Sequence, residues 1–373
     1  MTTPIFLYGT LRDPALFAIV GGAALAGRPA TLADHATAWA EDEAFPLIFE
    51  QPGGQAEGML VEAGDAVRER LDFYELGFHY TLRPVRAVSD GAEVDALVYF
   101  PDDGIWRRGA PWSLADWQRR FGEHAREAAE EYMRLFGRLT PEAAAAAFPQ
   151  IRMRAFSRLR ARTAPTPQAF RPEMTADAVQ VARSEQPYTR YFAVREEDLS
   201  FPTFSGGRSD TINRASFMGG DAVTVLPYDP ASDSVLVIRQ FRHGPFVRGD
   251  GNPWSLEPAA GRIDPDETAE DTALRELREE TGVTAERLFK VADYYPSPGA
   301  YSEFLTSFVA LADLSGYDGR TDGLAEEHED IMSHVIPFEQ LMELIESGAA
   351  NTAPLVISAL WLALRRDSLR GAH

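Results

Sequence analysis

Residues 261–283 read Gly261-Arg262-Ile263-Asp264-Pro265-Asp266-Glu267-Thr268-Ala269-Glu270-Asp271-Thr272-Ala273-Leu274-Arg275-Glu276-Leu277-Arg278-Glu279-Glu280-Thr281-Gly282-Val283. A turn-rich loop gives way, from about Glu270, to good helix formers, and Gly282 stands where a glycine just past the last turn ends a helix. On such a helix Glu276, Glu279 and Glu280 share one edge, while Ala273, Leu274 and Leu277 turn toward the core. Three carboxylates on one edge repel each other. An acidic run taken alone is most often a solvated helix face. The other reading is a hard divalent cation among the oxygens, and Mg²⁺ suits it because it prefers oxygen ligands in octahedral geometry and arrives with substrate phosphates.

The stretch fits the pattern G-x5-E-x7-R-E-U-x-E-E-x-G-U, U being aliphatic, at every specified place, and on these residues it is identified as a Nudix box. That resemblance favours the metal reading. It implies an α/β/α sandwich with a mixed sheet, and Mg²⁺-dependent hydrolysis of a P–O–P linkage by a metal-activated water, with Mn²⁺ as a substitute. It further implies Glu276, Glu279, Glu280 and the Ala260 carbonyl as metal ligands, with Glu279 taking part in catalysis. Arg275 would steer a neighbouring glutamate, and Glu267 would tie the loop to the helix. Arg262 and Arg278 read as solubilising charges.

Outward from the box, 206–214, 221–230, 235–242 and 253–260 precede it, and Pro298 follows Gly282 by sixteen residues in Tyr294-Tyr295-Pro296-Ser297-Pro298-Gly299. Over 191–364 these flanks resemble the ADP-ribose pyrophosphatase branch. The resemblance implies Arg214 and Arg242 as the grip on phosphates or the terminal ribose, a role suited to the guanidinium fork, with Glu257 and Pro298 as further substrate residues. It also implies that the acidic segment 323–331 supplies, at Glu329 and Glu327, the group that activates or orients the attacking water. The expected substrate is ADP-ribose or a related nucleoside diphosphate sugar, cleaved to AMP and a sugar phosphate, and the expected assembly is a homodimer. An ADP-ribose sensor without turnover is the alternative. His328 and the longer segment 244–252 depart from the family pattern and leave fine substrate preference open.

Apolar runs at 222–226 and 235–238, separated by turn residues, read as paired strands. The stretch 351–366 carries apolar residues at helical spacing and reads as a closing amphipathic helix.

A chain of 373 residues exceeds one such unit, and two domains are expected. The proline-rich stretch 160–172 reads as a linker. The expected division is 1–110, then bridging helices and linker over 111–172, then 173–373, in an α/β (α+β) chain. In the front part, Ile5-Phe6-Leu7-Tyr8-Gly9-Thr10-Leu11-Arg12 is a short apolar strand entering a glycine turn, and Leu71-Asp72-Phe73-Tyr74-Glu75-Leu76-Gly77 follows later. The pair resembles the γ-glutamylcyclotransferase-like, or AIG2-like, fold, a small β-barrel. The resemblance implies that Tyr8, Gly9, Thr10 and Leu11 offer backbone N–H groups to a carboxylate, and that Glu75 acts as general acid/base in γ-glutamyl cyclisation. Leu76 departs from the glycine that usually follows that glutamate, so a domain kept for binding alone stays open. Fusions of this kind also resemble bacterial proteins linked to tellurite resistance. Ser113 reads as an N-cap, and Thr140-Pro141-Glu142 as a second helix start.

With 45% apolar residues there is material for two cores, and no apolar run approaches the length of a membrane span. A formal charge of −21 opposes sequence-independent nucleic-acid binding. Cysteine is absent, which excludes thiolate metal sites and cysteine nucleophiles. No secretion signal is evident, so a cytoplasmic location is expected.

Overall fold

The computed structural model describes residues 2–165, 174–265, 267–323 and 329–371. The chain divides into two compact units, Met1–Pro167 with Thr189–Tyr191, and Gln168–Tyr188 with Phe192–His373. Among the described residues no helix is long and apolar enough to cross a membrane.

The first unit comprises β1 (Thr2–Leu7), α1 (Pro14–Gly21), β2 (Gly27–Ala40), β3 (Pro46–Gly64), α2 (Asp65–Glu75), β4 (Tyr80–Ser89), β5 (Ala92–Pro101), β6 (Arg108–Pro111), α3 (Leu114–Trp117), α4 (Glu123–Met133), α5 (Pro141–Ala146) and α6 (Phe148–Thr163). Its strands run β3-β1-β5-β4-β2-β6, and a further pairing of β3 with β2 brings the sheet back on itself, compatible with the expected small barrel. Alternation along β1 and just past it divides the apolar residues between two cores. Phe6 and Tyr8 join Leu32, Ile48, Leu60 and Val98. Ile5 and Leu7 join Leu16, Leu71, Trp117, Tyr132 and Ile151.

The helices that the sequence reading sets between two domains complete this second core instead. Trp117, Ala128, Tyr132, Ile151 and Ala155 are buried in it. The segment is rich in charged residues, and many of those charges pair with one another. Glu131, buried on α4, accepts hydrogen bonds from Arg154 Nε at 2.7 Å and Arg158 at 2.8 Å, both on α6. Burial of a carboxylate is tolerable only with such partners. Ser113 Oγ accepts the N–H of Asp116 at 3.3 Å, and a π turn over Gln118–Gly122 then interrupts the regular helix. Since α6 runs to Thr163, the first residues of the expected linker are helical, and 166–172 lie outside the described residues.

The second unit comprises β7 (Gln180–Thr189), β8 (Ala193–Ser200), β9 (Ile212–Met218), β10 (Ala222–Asp229), β11 (Ser234–Phe241), α7 (His243–Arg248), β12 (Trp254–Glu257), β13 (Ala259–Arg262), α8 (Ala269–Thr281), β14 (Arg287–Tyr294), β15 (Leu305–Leu311), β16 (Thr321–Asp322), β17 (Ile331–Pro337), α9 (Phe338–Glu346), α10 (Ala353–Ala363) and α11 (Arg366–Arg370). The first three strands form their own sheet, β7-β8-β9. The others make a mixed sheet, β14-β15-β10-β11-β17-β16, with β12 on β11 and β13 on β10. Among the described residues only β10 and β15 are parallel neighbours in it. Period two again sorts the layers. Val223, Val225, Leu236, Ile238, Phe308 and Ala310 pack with Ala273 and Leu277 of α8. Leu226, Tyr228, Val235, Val237, Val309 and Leu311 pack on the other face with Phe338, Leu341, Leu355, Ala359 and Leu362 of α9 and α10. The sandwich expected from the box is present. The two expected strands are β10 and β11, paired antiparallel with Tyr228 opposite Val235. The closing helix is shorter than 351–366, and the stretch read as a loop at 244–252 starts inside α7.

Candidate active site

Helix α8 starts at an N-cap, Thr268, whose hydroxyl accepts the N–H of Asp271 at 3.1 Å, and ends at Gly282 with φ 72°. The preceding strand β13 lies against its acidic edge. A Cβ built on Gly261 would meet Glu276 Oε1 at 1.8 Å, so only glycine leaves room for that carboxylate. The N–H of Ala260 donates to Glu280 Oε2 at 2.7 Å, which fixes the second carboxylate. Arg275 gathers the rest. Its guanidinium donates to both oxygens of Glu267 at 2.9 Å each, to Glu276 at 2.7 Å and to Glu279 at 3.0 Å. Thr272 Oγ1 donates to Glu267 at 2.8 Å, so this acid joins the loop before α8 to its first turns.

Burial dominates the electrostatics. The Glu276 carboxyl is pushed up to about 7, first by burial and further by Glu279 and Glu329, against the pull of Arg275. Glu280, only 1% exposed, is raised well above the usual carboxylate range by burial and by Glu276 and Glu329, while the Ala260 N–H and Arg242 oppose the rise. Glu267 is lowered, chiefly by its hydrogen bonds from Arg275. Among the described residues no three His, Asp or Glu side chains form a ready metal cage. The donor set nonetheless fits a hard divalent cation. Its groups are oxygens, and Glu276, Glu280 and Glu329 stand in one another's field with their negative charge disfavoured by burial. A cation there would offset that cost.

Arg242 and Glu257 meet each other, because Phe241 pairs with Trp254 across β11 and β12. Arg242 Nε and a terminal nitrogen lie 2.9 and 2.7 Å from the same Glu257 oxygen, and the guanidinium lies in the fields of Glu280 and Glu303. Glu329 packs its Cβ toward Gly323 and acts electrostatically on Glu276 and Glu280. Glu327 lies outside the described residues. Arg214 is exposed on β9, opposite Glu197 in the separate sheet, and donates to the Asn213 carbonyl at 2.8 Å. Pro298 is exposed in a turn closed by the N–H groups of Ala300 and Tyr301 on the Ser297 carbonyl, at 3.1 and 2.9 Å. That turn joins β9 through a 2.8 Å hydrogen bond from the Phe217 N–H to the Ala300 carbonyl.

Sequence reading missed Glu303. Its carboxyl is raised by burial against a hydrogen bond from Tyr301 and the charges of Arg262 and Arg242. The available signal was an acid two residues ahead of the apolar strand β15. Arg262, read as a solubilising charge, stands in this cluster, 5.9 Å from the Phe192 ring.

The first unit holds a cavity of about 740 Å³. Tyr8, Gly9, Thr10 and Leu11 line it after β1, and Glu75, the last residue of α2, faces the same space. Thr10–Arg12 is a 3₁₀ turn, whose first N–H groups have no partner within the turn. The Tyr80 hydroxyl donates to the Pro46 carbonyl at 3.4 Å. Burial alone pushes the Glu75 carboxyl up to about 7. A Cβ on Gly9 would meet Pro46 Cγ at 2.9 Å, so the turn sits tightly on β3.

Two family models match the chain: the NUDIX domain over residues 218–357, and gamma-glutamyl cyclotransferase, AIG2-like, over residues 5–119. The chain is 34% identical over 192 residues to an ADP-ribose pyrophosphatase of Escherichia coli (strain K12), covering 52% of this chain and 91% of that protein. An ADP-ribose pyrophosphatase of Haemophilus influenzae is 32% identical over 194 residues, covering 52% and 89%. A GDP-mannose pyrophosphatase of Cronobacter sakazakii is 32% identical over 175 residues, covering 47% and 90%. Among solved structures, an ADP compounds hydrolase is similar with a TM-score of 0.39 and 24% identity, over 52% of this chain and 98% of that one. The box, the sandwich that carries it and these relatives together establish that the chain belongs to the Nudix hydrolase family, with an AIG2-like domain ahead of its Nudix domain.

Proposed function

We propose that the second unit hydrolyses the diphosphate bond of ADP-ribose, or of a related nucleoside diphosphate sugar, to AMP or its counterpart and a sugar phosphate. The observation that carries this reading is the cluster of Glu276, Glu280 and Glu329 in a common field, with the Arg242–Glu257 pair beside it. When bound, a divalent cation, Mg²⁺ in this reading with Mn²⁺ as a substitute, offsets phosphate charge and makes water a stronger nucleophile. Glu276, Glu279, Glu280 and the Ala260 carbonyl would hold it. Glu329, with Glu327, takes the proton of the attacking water, whose oxygen bonds to one phosphorus as the bridging P–O bond breaks. Arg242 can exchange Glu257 for a substrate phosphate, and Arg214 and Pro298 complete the substrate contacts.

The test is a panel of ADP-ribose, GDP-mannose and other nucleotide sugars with Mg²⁺. AMP from ADP-ribose, abolished by EDTA, is the expected outcome. Tight binding with no product over hours would replace the enzyme with a sensor. The relatives' names favour both ADP-ribose and GDP-mannose as candidates. We also read the assembly as a homodimer, supported by the exposed, mutually packed rings of Phe241, Phe246 and Trp254.

A second activity in the first unit is favoured by one observation, the partly buried Glu75 carboxyl facing the cavity behind the Tyr8-Gly9-Thr10-Leu11 turn. In γ-glutamyl cyclisation the α-amine of the γ-glutamyl group attacks its own γ-carbonyl. The new C–N bond closes 5-oxoproline, the old amide C–N bond breaks, and Glu75 carries the proton from the attacking nitrogen to the leaving amine.

A further inference from the structure

The box ends at Val283, but its last helical turn is tied to the strand that leads toward Glu329. Gly282 ends α8 at φ 72°, and a Cβ built on it would meet a guanidinium nitrogen of Arg320 at 2.9 Å. The Arg320 guanidinium therefore lies over the C-terminal end of the helix, where unpaired carbonyls carry partial negative charge. Tyr317 supports the same junction. Its ring centre is 5.1 Å from the guanidinium carbon, and its hydroxyl donates to the Gly282 carbonyl at 3.5 Å.

On its other side Arg320 donates from Nη2 to Asp322 Oδ1 at 3.3 Å. The second oxygen of Asp322 is buried and accepts no hydrogen bond among the described residues. A largely buried carboxylate with one cationic partner depends on that partner for its place. Asp322 stands opposite Ile331 in the pairing of β16 with β17, and Ile331 is fully buried with Ala273, Leu277 and Val283. Gly323 follows at φ 110°, and a Cβ built on it would meet Glu329 Cβ at 2.9 Å. Where Asp322 and Gly323 stand thus sets where the Glu329 side chain begins. The backbone of Arg320 is equally held. Its carbonyl accepts the Ser333 N–H at 2.9 Å, and the Gly319 N–H donates to the Ser333 carbonyl at 2.9 Å.

We propose that Arg320 is a positioning residue, which fixes Glu329 relative to the carboxylates of α8 by bridging the C-terminal end of that helix to Asp322. The proposal rests on the hydrolysis reading, in which Glu329 takes the proton of the attacking water. Among the described residues Arg320 donates to Asp322 and to none of the groups assigned to the cation. Its loss should therefore slow the chemical step and spare the binding of cation and substrate.

The experiment compares the full native chain with Arg320→Met, which keeps a long apolar stem without the charge, and with Arg320→Lys. With ADP-ribose and Mg²⁺, kcat of Arg320→Met should fall at least about tenfold, while KM and the affinity for Mn²⁺, read by electron paramagnetic resonance, stay within about twofold of native. Arg320→Lys should recover part of kcat, because a cation still meets the helix end and Asp322. An unchanged kcat in Arg320→Met overturns the proposal. A loss shared by KM and Mn²⁺ affinity also overturns it, because that reports general damage to the site. If Arg320→Met does not fold, Asp322→Asn reads the same bridge from its other end: a lower kcat with KM held supports it, and an unchanged kcat overturns it. If the native protein releases no AMP, the hydrolysis reading fails by itself, and amide hydrogen exchange decides the bridge. Faster exchange at Gly319 and Ser333 in Arg320→Met, with β14 unchanged, supports it; equal rates overturn it.

Discussion

At the scale of single residues, the chemistry depends on how little room the backbone leaves around two carboxylates. Glu276 lies where a Cβ on Gly261 would stand. Gly261→Ala should leave the fold intact, because the clash is with the free end of a side chain, but it should displace that carboxylate. A shift of about 1 Å in a positioned group costs on the order of a hundredfold in rate. Turnover of ADP-ribose by the variant, alongside an unchanged unfolding transition, checks this. Glu75 provides a test in the other unit. Its folded-state carboxyl, at about 7, lies above the ordinary value of 4.5. The stability this contributes is therefore full below about pH 4.5 and lost as pH rises through about 7, leaving a cost of roughly 3 kcal/mol above that. Glu75→Gln, neutral throughout, should gain resistance to denaturant over the native chain at pH 8 and show no such gain near pH 4.5. An equal gain at both pH values would contradict the burial argument.

At the scale of elements, what was legible depended on sequence separation. The box could be read because α8 places residues three and four apart on one edge, and the capping Thr268 and the terminal Gly282 are local signals. Thr268→Ala should cost the second unit about 1 kcal/mol, with Thr268→Ser close to neutral, measured by denaturant unfolding. The meeting of Arg242 with Glu257 depends on the register of β11 with β12, which no local pattern specifies. Glu303 joins Arg242 and Arg262 only after the sheet is assembled, so its place ahead of β15 marked the acid but not its partners. Charge misled at the helices after residue 113. Glu127 and Glu131 look like solvent-facing residues, yet they are buried because Arg154, Arg158 and Arg162 meet them from α6. The apolar runs at 222–226 and 235–238 were legible as strands, whereas the alternation that sorts β10, β11 and β15 between the two helical layers takes effect only in the assembled sheet.

At the scale of the whole molecule, the chain carries two units, each with two core clusters, and two candidate centres that share a device. In each, a carboxyl is raised by burial next to groups suited to moving a proton or holding a ligand. Phe241, Phe246 and Trp254 form a cluster of packed rings that is about half exposed, and the proposed dimer would cover it. Light scattering should give twice the chain mass, and Trp254→Ser with Phe246→Ser should move it toward the monomer. A native monomer would remove the dimer from this reading. The most direct test of the central claim is hydrolysis of ADP-ribose with Mg²⁺ by the native protein and by Glu280→Gln. Changes to groups that only support metal ligands already cost about 10–100-fold, so loss of a ligand should exceed a hundredfold, with AMP as the native product. Undiminished AMP release by a folded Glu280→Gln would show that the acidic edge of α8 is not the catalytic metal site.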